Sequence, residues 1–234
     1  MGTRKKQRTR LSVIVPAFNE SKTIKQILRA LLKQKDVSQV IVVDDASTDN
    51  THRAVSLIKS RKLMVIRHKV NKGKGAAIHT GLKHASGEYV LIQDADLEYD
   101  PQEIPKLMAP IRTGRAKVVF GSRFSGAHTN MFYWHFLGNK FLNFVVNIMY
   151  DTILSDMETC YKLVPRSLML KLDLREHDFR IEPEIACKLL LRNVKILEVP
   201  ISYVGRGYEE GKKITWVDGI KALGTIVFLR FFYR

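Results

Sequence analysis

Cysteine is nearly absent from this 234-residue chain, with Cys160 and Cys187 the only two. Two thiols without a Cys-x-x-Cys pair build neither a disulfide framework nor a thiolate metal site, and they suit a reducing compartment. Long apolar runs are lacking as well. A bilayer-spanning helix takes about 20 apolar residues, whereas the candidates Phe141–Tyr150 and Ala222–Phe232 are short and carry Asn or Arg. No Pro/Gly/Ser-rich linker, repeat or low-complexity tract interrupts the chain, so one folded domain is expected. The basic stretch Met1–Arg10 leads into no secretory signal core, and Lys6 stands where a myristoylation signal needs Ser or Thr. Negative charge is scarce: 23 Asp plus Glu face 39 Lys plus Arg, a net charge of +16. That excess calls for an anionic partner, whether nucleic acid, anionic lipid or a phosphorylated substrate. An apolar share of 45% supplies a packed core and excludes disorder.

Past a flexible basic arm at residues 1–10, strands and helices alternate. Leu11–Pro16, Val40–Val43, Leu63–Arg67 and Tyr89–Gln93 read as strands. Helices are expected from a Ser21 cap to about Lys33, from Asp49 or Asn50 to about Ser60, and over Gly75–Ala85. Such alternation predicts a mostly parallel, right-handed α/β sheet with ligands at the carboxyl ends of its strands. The polar residues Asn19 and Glu20, Asp44 and Asp45, and Asp94 and Asp96 cluster at those ends. Lys117–Phe120 and Ile196–Val199 look like further strands. Between them Met131–Tyr150 is an apolar helix with a thin polar stripe, His135, Asn139, Asn143, Asn147 and Asp151, every four residues. Trp216–Tyr233 is a second apolar helix; the aromatics Phe132, Tyr133, Trp134 and Phe136 read either as ordinary core or, with Trp and Tyr beside Lys140, as a membrane interface.

The chemistry concentrates in Asp94-Ala95-Asp96. In an extended backbone, side chains at i and i+2 point the same way, so two carboxylates converge and favour a divalent cation shared with diphosphate oxygens. A surface turn with capping Asp is the bland alternative. Asp49 and Ser47 read as helix caps; Asp45 does not. Asn71-Lys72-Gly73-Lys74-Gly75 reads equally as a phosphate cradle or a plain turn. The seven histidines show no metal-ligand spacing.

The ordered set VPAFNE (15–20), VVDDASTDNT (42–51), NKGKGAA (71–77), QDADLEYDP (93–101), GSRF (121–124) and VPISYVGRGYEEGKK (199–213) resembles family-2 glycosyltransferases. Within them it is most similar to dolichyl-phosphate mannose and glucose synthases and their prokaryotic polyprenyl-phosphate relatives. The resemblance covers residues 11 to about 215 and implies a GT-A fold over 11–215, an interface helix near 131–150 and a C-terminal amphipathic helix at 216–234. It implies inverting transfer of mannose or glucose from a GDP- or UDP-sugar to a polyprenyl or dolichyl phosphate, by a peripheral protein on the cytoplasmic face of a membrane. Pro16, Phe18, Glu20, Val43 and Asp45 would hold the nucleotide, although the family usually has Tyr where Phe18 stands. Asp94, Ala95 and Asp96, with Glu98 nearby, would organise Mg²⁺ or Mn²⁺. Arg123 would face the acceptor phosphate, and Arg206 and Lys212 would come from a loop closing over the diphosphate.

Three other readings compete. A nucleotidyltransferase would show a glycine-rich basic signature after its first strand, where VPAFNE stands instead. A nucleic-acid binder would suit the charge, yet no helix-turn-helix, zinc-finger or RNA-recognition pattern is present, so no nucleic-acid partner is expected. A transferase acting on a saccharide hydroxyl stays open, with Asp156 or Glu158 as its base.

Overall fold

A computed structural model of the chain describes residues 9–207 and 215–233. The strands β1 (Leu11–Ala17) and β2 (Val37–Asp44) are apolar on both faces, as parallel strands covered by helices on both sides must be. They pair in parallel up to Ala17 opposite Asp44. β3 (Leu63–Arg67) adds beyond β2, and β4 (Tyr89–Ile92) pairs with β1 on its other side, again in parallel. The crossovers are α1 (Ile24–Lys33), α2 (Thr51–Ser56) and α3 (Lys74–His84). α1 buries Ile24, Ile27, Leu28 and Leu31, a stripe at helical spacing. Ser21 does not cap it: Thr23 holds that position without a side-chain bond, and the Ser21 N–H donates to Asp49 at 3.1 Å. α2 stops at Ser56, four residues before the expected end.

The second half contains α4 (Ile104–Arg112), β5 (Val118–Ser122), β6 (His128–Thr129), α5 (Tyr133–Tyr150), β7 (Lys162–Pro165), α6 (Arg166–Lys171), α7 (Ile181–Leu191), β8 (Ile196–Pro200), β9 (Tyr203–Val204) and α8 (Trp216–Phe232). The main sheet runs β3-β2-β1-β4-β7-β5-β8, and β6 pairs with β9 apart from it. β7 lies antiparallel between β4 and β5. Sequence reading missed it because it is four residues long and its Lys162 is fully buried, which defeats an apolar template. α7 was missed for a related reason. It is buried from Ile181 through Leu189, Glu182, Glu184 and Lys188 included, so no polar face shows its period. Those charges are neutralised nearby, Lys188 by Glu184 at 2.7 Å and Lys162 by Glu182 at 2.6 Å. α4 is masked by Pro105 near its start and Pro110 within it.

The turn into α3 packs tightly on the segment before α7. A Cβ on Gly75 would run into the carbonyl oxygen of Glu176, and the Ala76 N–H donates to the carbonyl of His177 at 3.0 Å. In an open helix Gly→Ala gains about 1 kcal/mol; here the clash should cost roughly 1–3 kcal/mol. Gly75→Ala is therefore expected to lower Tm, and a raised Tm would show that the two segments do not touch.

Candidate active site

Three strand ends form one acidic rim. Past β1 the chain turns through Asn19 at φ 55° and past β2 through Ala46 at φ 58°. The second of these left-handed residues costs roughly 1–2 kcal/mol without glycine, a local strain of the kind that gathers at functional sites. Asp45, just before Ala46, is buried and accepts from the backbone N–H of Lys72 (2.9 Å) and of Gly73 (2.7 Å), with His68 Nδ1 at 2.7 Å. The Asn71–Gly75 turn therefore cradles the chain's own Asp45 carboxylate, and the phosphate-cradle expectation is corrected accordingly. Gly73 is needed for its φ of 93°. Asp44 is fully buried and takes the Ser47 N–H at 2.9 Å and the Arg67 guanidinium at 3.3 Å.

Asp94 and Asp96 stand past β4 and are treated differently. Asp94 faces Lys74 of α3 at 2.7 Å, and Lys74 reaches Glu182 of α7 at 3.0 Å. Burial alone would raise the Asp94 carboxyl; Lys74 outweighs it and holds the group below its ordinary range. Asp96 is pushed up to about 8 by burial and by its neighbours Asp94 and Glu98, against the pull of Arg206. The Arg206 guanidinium lies among three carboxylates: Asp96 at 2.7 Å, Glu20 at 3.2 Å and Glu98 at 3.6 Å. Glu98 also accepts the Arg206 backbone N–H (3.0 Å) and the Tyr203 hydroxyl (2.9 Å). Pro16 and Phe18 flank this rim half-buried, and Ala95 is buried between the two aspartates. The Val43 side chain is sealed inside the sheet, so it offers a ligand only its backbone. Lys212 lies outside the described residues, as do residues 1–8 of the basic arm.

Arg123 follows β5. Its Nε and Nη2 each donate to Asp156 at 2.7 Å, and its backbone N–H donates to the same carboxylate at 2.9 Å. Asp156 is fully buried and committed to this clamp, which removes it as a base. The guanidinium lies 5.3 Å from the Tyr203 ring centroid and 5.5 Å from that of Phe124, and Lys140 of α5 sits 4.5 Å over the same Phe124 ring. Glu182, His68 and Tyr203 were not singled out from sequence, and Lys74 and Lys140 were read only as part of a possible cradle and of an interface; their pairing arises from packing, with Lys74 on α3, Lys140 on α5, Glu182 on α7, His68 just past β3 and Tyr203 on β9.

Of the two apolar helices, α5 reaches the surroundings of Arg123 through Lys140, and α8 packs on α5 and α7. On α5, Trp134, Leu137, Phe141, Phe144 and Ile148 form an exposed stripe, from 44% to 77% exposed. Of the polar stripe, Asn143 turns inward at 3% exposed and the half-buried Asn147 exchanges two bonds with the Leu154 backbone, whereas Asp151 is exposed. On α8, Ile220, Phe228, Phe231 and Phe232 are exposed, and the Tyr150 hydroxyl donates to the Ile226 carbonyl at 2.8 Å, tying α8 to α5. Among the described residues no helix is long and apolar enough to cross a membrane.

This sheet order and its helices match solved GT-A enzymes. Glucosyl-3-phosphoglycerate synthase from Mycobacterium tuberculosis, crystallised with Mn²⁺, uridine-diphosphate and glucosyl-3-phosphoglycerate, superposes with a TM-score of 0.73. At 19% identity over 95% of this chain and 80% of that one, the likeness shows the fold. The model of glycosyl transferase family 2 matches residues 12–172. The chain belongs to that family. It is 29% identical to a dolichol-phosphate mannosyltransferase of Pyrococcus furiosus, over 96% of this chain and 63% of that enzyme. It is 26% identical to a UDP-N-acetylglucosamine–dolichyl-phosphate N-acetylglucosaminyltransferase of Methanococcus voltae, over 93% of this chain and 95% of that one.

Burial pushes Glu158, beside the Arg123 clamp, up to about 7; Lys162 pulls against that rise and Glu182 adds to it. Its Oε1 has no hydrogen-bond partner. Because the folded value lies above the ordinary 4.5, the stability this carboxyl contributes is full below about pH 4.5 and is lost as pH rises through about 7. Glu158→Gln, neutral throughout, should melt close to wild type at acid pH and increasingly above it toward about pH 8. A Tm difference that does not change with pH would show that Glu158 titrates normally.

Proposed function

We propose that the chain transfers a hexose, with inversion, from a GDP- or UDP-sugar to a polyprenyl or dolichyl phosphate at the cytoplasmic face of a membrane on which it lies peripherally. The observation that carries this reading is the outward row Trp134, Leu137, Phe141, Phe144 and Ile148 of α5, left exposed on the side of the molecule where Lys140 and Arg123 meet the Phe124 ring. A helix facing water on that side would carry polar residues there, whereas a helix lying in an interface turns an apolar face to the lipid. The P. furiosus and M. voltae relatives carry dolichyl-phosphate transferase names, which supports the same acceptor class.

In this reading Pro16, Phe18, Glu20 and Asp45 surround the nucleotide, with the Val43 backbone behind them. The rim also suits a divalent cation. Asp94, Asp96, Glu98 and Glu20 crowd together with Asp96 still raised to about 8, so negative charge is in excess, and the Arg206 guanidinium already stands where a cation would. Among the described residues no three His, Cys, Asp or Glu side chains are arranged to hold a metal, so Asp94, Asp96 and Glu98 do not form a three-carboxylate cage as they stand; Mg²⁺ commonly takes one or two carboxylates and completes its shell with diphosphate oxygens. Asp96, with Asp94 and Glu98 beside it, would hold Mg²⁺ or Mn²⁺, which neutralises charge on a departing diphosphate. Arg206 and Lys212 would supply further positive charge to the same diphosphate. A lipid monophosphate, with a second pKa of about 6, is already dianionic and needs no strong base. Arg123, with Lys140 near it, would bring that dianion up to the donor.

Labelled nucleotide-sugars, polyprenyl phosphate and Mg²⁺ or Mn²⁺ should yield label in the organic phase. Asp96→Ala should lower kcat by about 10²–10³ with the fold intact; near-normal turnover would remove the metal assignment. Phe141→Ser with Phe144→Ser should weaken vesicle binding and transfer to long-chain acceptors while sparing a short soluble one. Loss of the fold in that variant would return α5 to the core of a water-soluble protein. Since Arg206 competes for the same carboxylates, Arg206→Gln should bind Mn²⁺ alone more tightly than wild type, as read by electron paramagnetic resonance. Equal or weaker binding would exclude competition.

A second reading keeps a saccharide hydroxyl as acceptor, favoured by the unpartnered Glu158 with its value near 7 as a general base. Glu158→Gln would then abolish transfer to a sugar, whereas transfer to a lipid phosphate would survive it.

A further inference from the structure

We propose that Asn143 is a positioning residue that sets Arg123 against the acceptor phosphate, acting through the backbone around Asp156, so that α5 links surface docking to the acceptor site. The proposal rests on the lipid-phosphate reading above. Its geometry is a chain of buried hydrogen bonds. Asn143 accepts the Met157 N–H through Oδ1 at 2.7 Å and donates from Nδ2 to the Ser155 carbonyl at 2.8 Å. One side chain therefore grips the backbone on both sides of Asp156. One helical turn further on, Asn147 does the same for Leu154, donating to its carbonyl at 3.0 Å and accepting its N–H at 2.8 Å. From the opposite side Glu198 of β8 accepts the N–H of Ser155 at 2.8 Å and that of Asp156 at 3.0 Å. Asp156 then clamps Arg123 through both carboxylate oxygens.

Three features set this apart from an ordinary polar contact. Asn143 and Asn147 sit on the inward face of the helix whose outward face is Phe141, Phe144 and Ile148. A shift of α5 at a lipid surface is therefore transmitted to residues 154–157 through two side-chain amides. Arg123 depends on that turn for direction, because a planar guanidinium bound at two donors has its plane fixed by the carboxylate it meets. None of the asparagine bonds goes to the strands or helices that carry the donor-side carboxylates, so disturbing Asn143 should spare the donor site.

The test is a double-mutant cycle of Asn143→Ala with Arg123→Lys, run on wild type, both single variants and the pair. Lysine keeps the charge and cannot take both Asp156 oxygens. The steady-state readouts are KM for polyprenyl phosphate in vesicles, KM for the nucleotide-sugar, and kcat, with thermal melting as the check on folding. Asn143→Ala should raise acceptor KM about ten-fold (about 1.4 kcal/mol) with donor KM unchanged. In the Arg123→Lys background the same substitution should cost little more, because residues acting in series are not additive. If Asn143→Ala does not fold, Asn147→Ala loosens the same turn and enters the cycle in its place. The same loss in both backgrounds, or an equal rise in donor KM, overturns the proposal while leaving the lipid-phosphate reading intact. A wild type that makes no lipid-linked product overturns the reading and the proposal together.

Discussion

Compensating a cluster of carboxylates withdrawn from water is the local requirement around which this molecule is arranged. Glu20, Asp44, Asp45 and Asp96 are each less than a tenth exposed at the ends of β1, β2 and β4. A buried charge without partners costs several kcal/mol, so each must be met. Asp45 is met by backbone amides and His68, from 23 to 28 residues away in sequence. Asp94 is met by Lys74, itself braced by Glu182. The partners of Asp45 lie in the loop between β3 and α3, and those of Asp94 on α3 and α7. Asp96 is met mainly by the Arg206 side chain, from 110 residues away, and it remains raised to about 8. The rim thus has its weakest neutralisation at one aspartate, and there an incoming cation gains most from binding.

A second constraint acts on α5 and α8. Fully burying one Leu, Ile or Phe side chain is worth about 1.5–3 kcal/mol, yet α5 and α8 leave rows of them outside. The inward face of α5 buries Leu142 and Val146 together with Asn143, whose amide orders the backbone at Ser155 and Met157. An outward apolar row suits an apolar medium, as in the function proposed above, and holding residues 154–157 in place is the polar task of the buried asparagine.

The acidic rim was legible because it is written locally. The carboxylates stand just past strands, and a strand with its following turn makes a contiguous motif: Glu20 after β1, Asp45 after β2, Asp94 and Asp96 after β4. The parallel sheet followed from the alternation of strands and helices. The rest was hidden for identifiable reasons. Lys162, Glu182 and Lys188 are charges in the core, and their partners are set by packing. The Asn71–Gly75 turn looked like a phosphate cradle because glycines and a helix start are what such a cradle needs; a carboxylate from the neighbouring strand needs the same things. The polar stripe of α5 was visible, whereas the direction it faces depends on the turn at residues 154–157.

The unread strand β7 explains how the Arg123 clamp and the acidic rim come together. The other main-sheet strands deliver their carboxyl ends to one edge, and successive right-handed crossovers alone would bring only strand-to-helix turns there. β7 runs the other way, with Lys162 opposite Phe120 and Pro165 opposite Tyr89. Its amino end therefore lies at the carboxyl ends of β4 and β5, and the segment leading into it, residues 154–161, is delivered to the same edge. That segment carries Asp156, which clamps Arg123, and Glu158; Cys160 follows, its N–H donating to the Tyr99 hydroxyl. A helix crossover into a parallel strand at that position would have placed these residues at the far edge of the sheet. Reversing one four-residue strand puts the Arg123–Asp156 clamp beside the carboxylates at the ends of β1, β2 and β4.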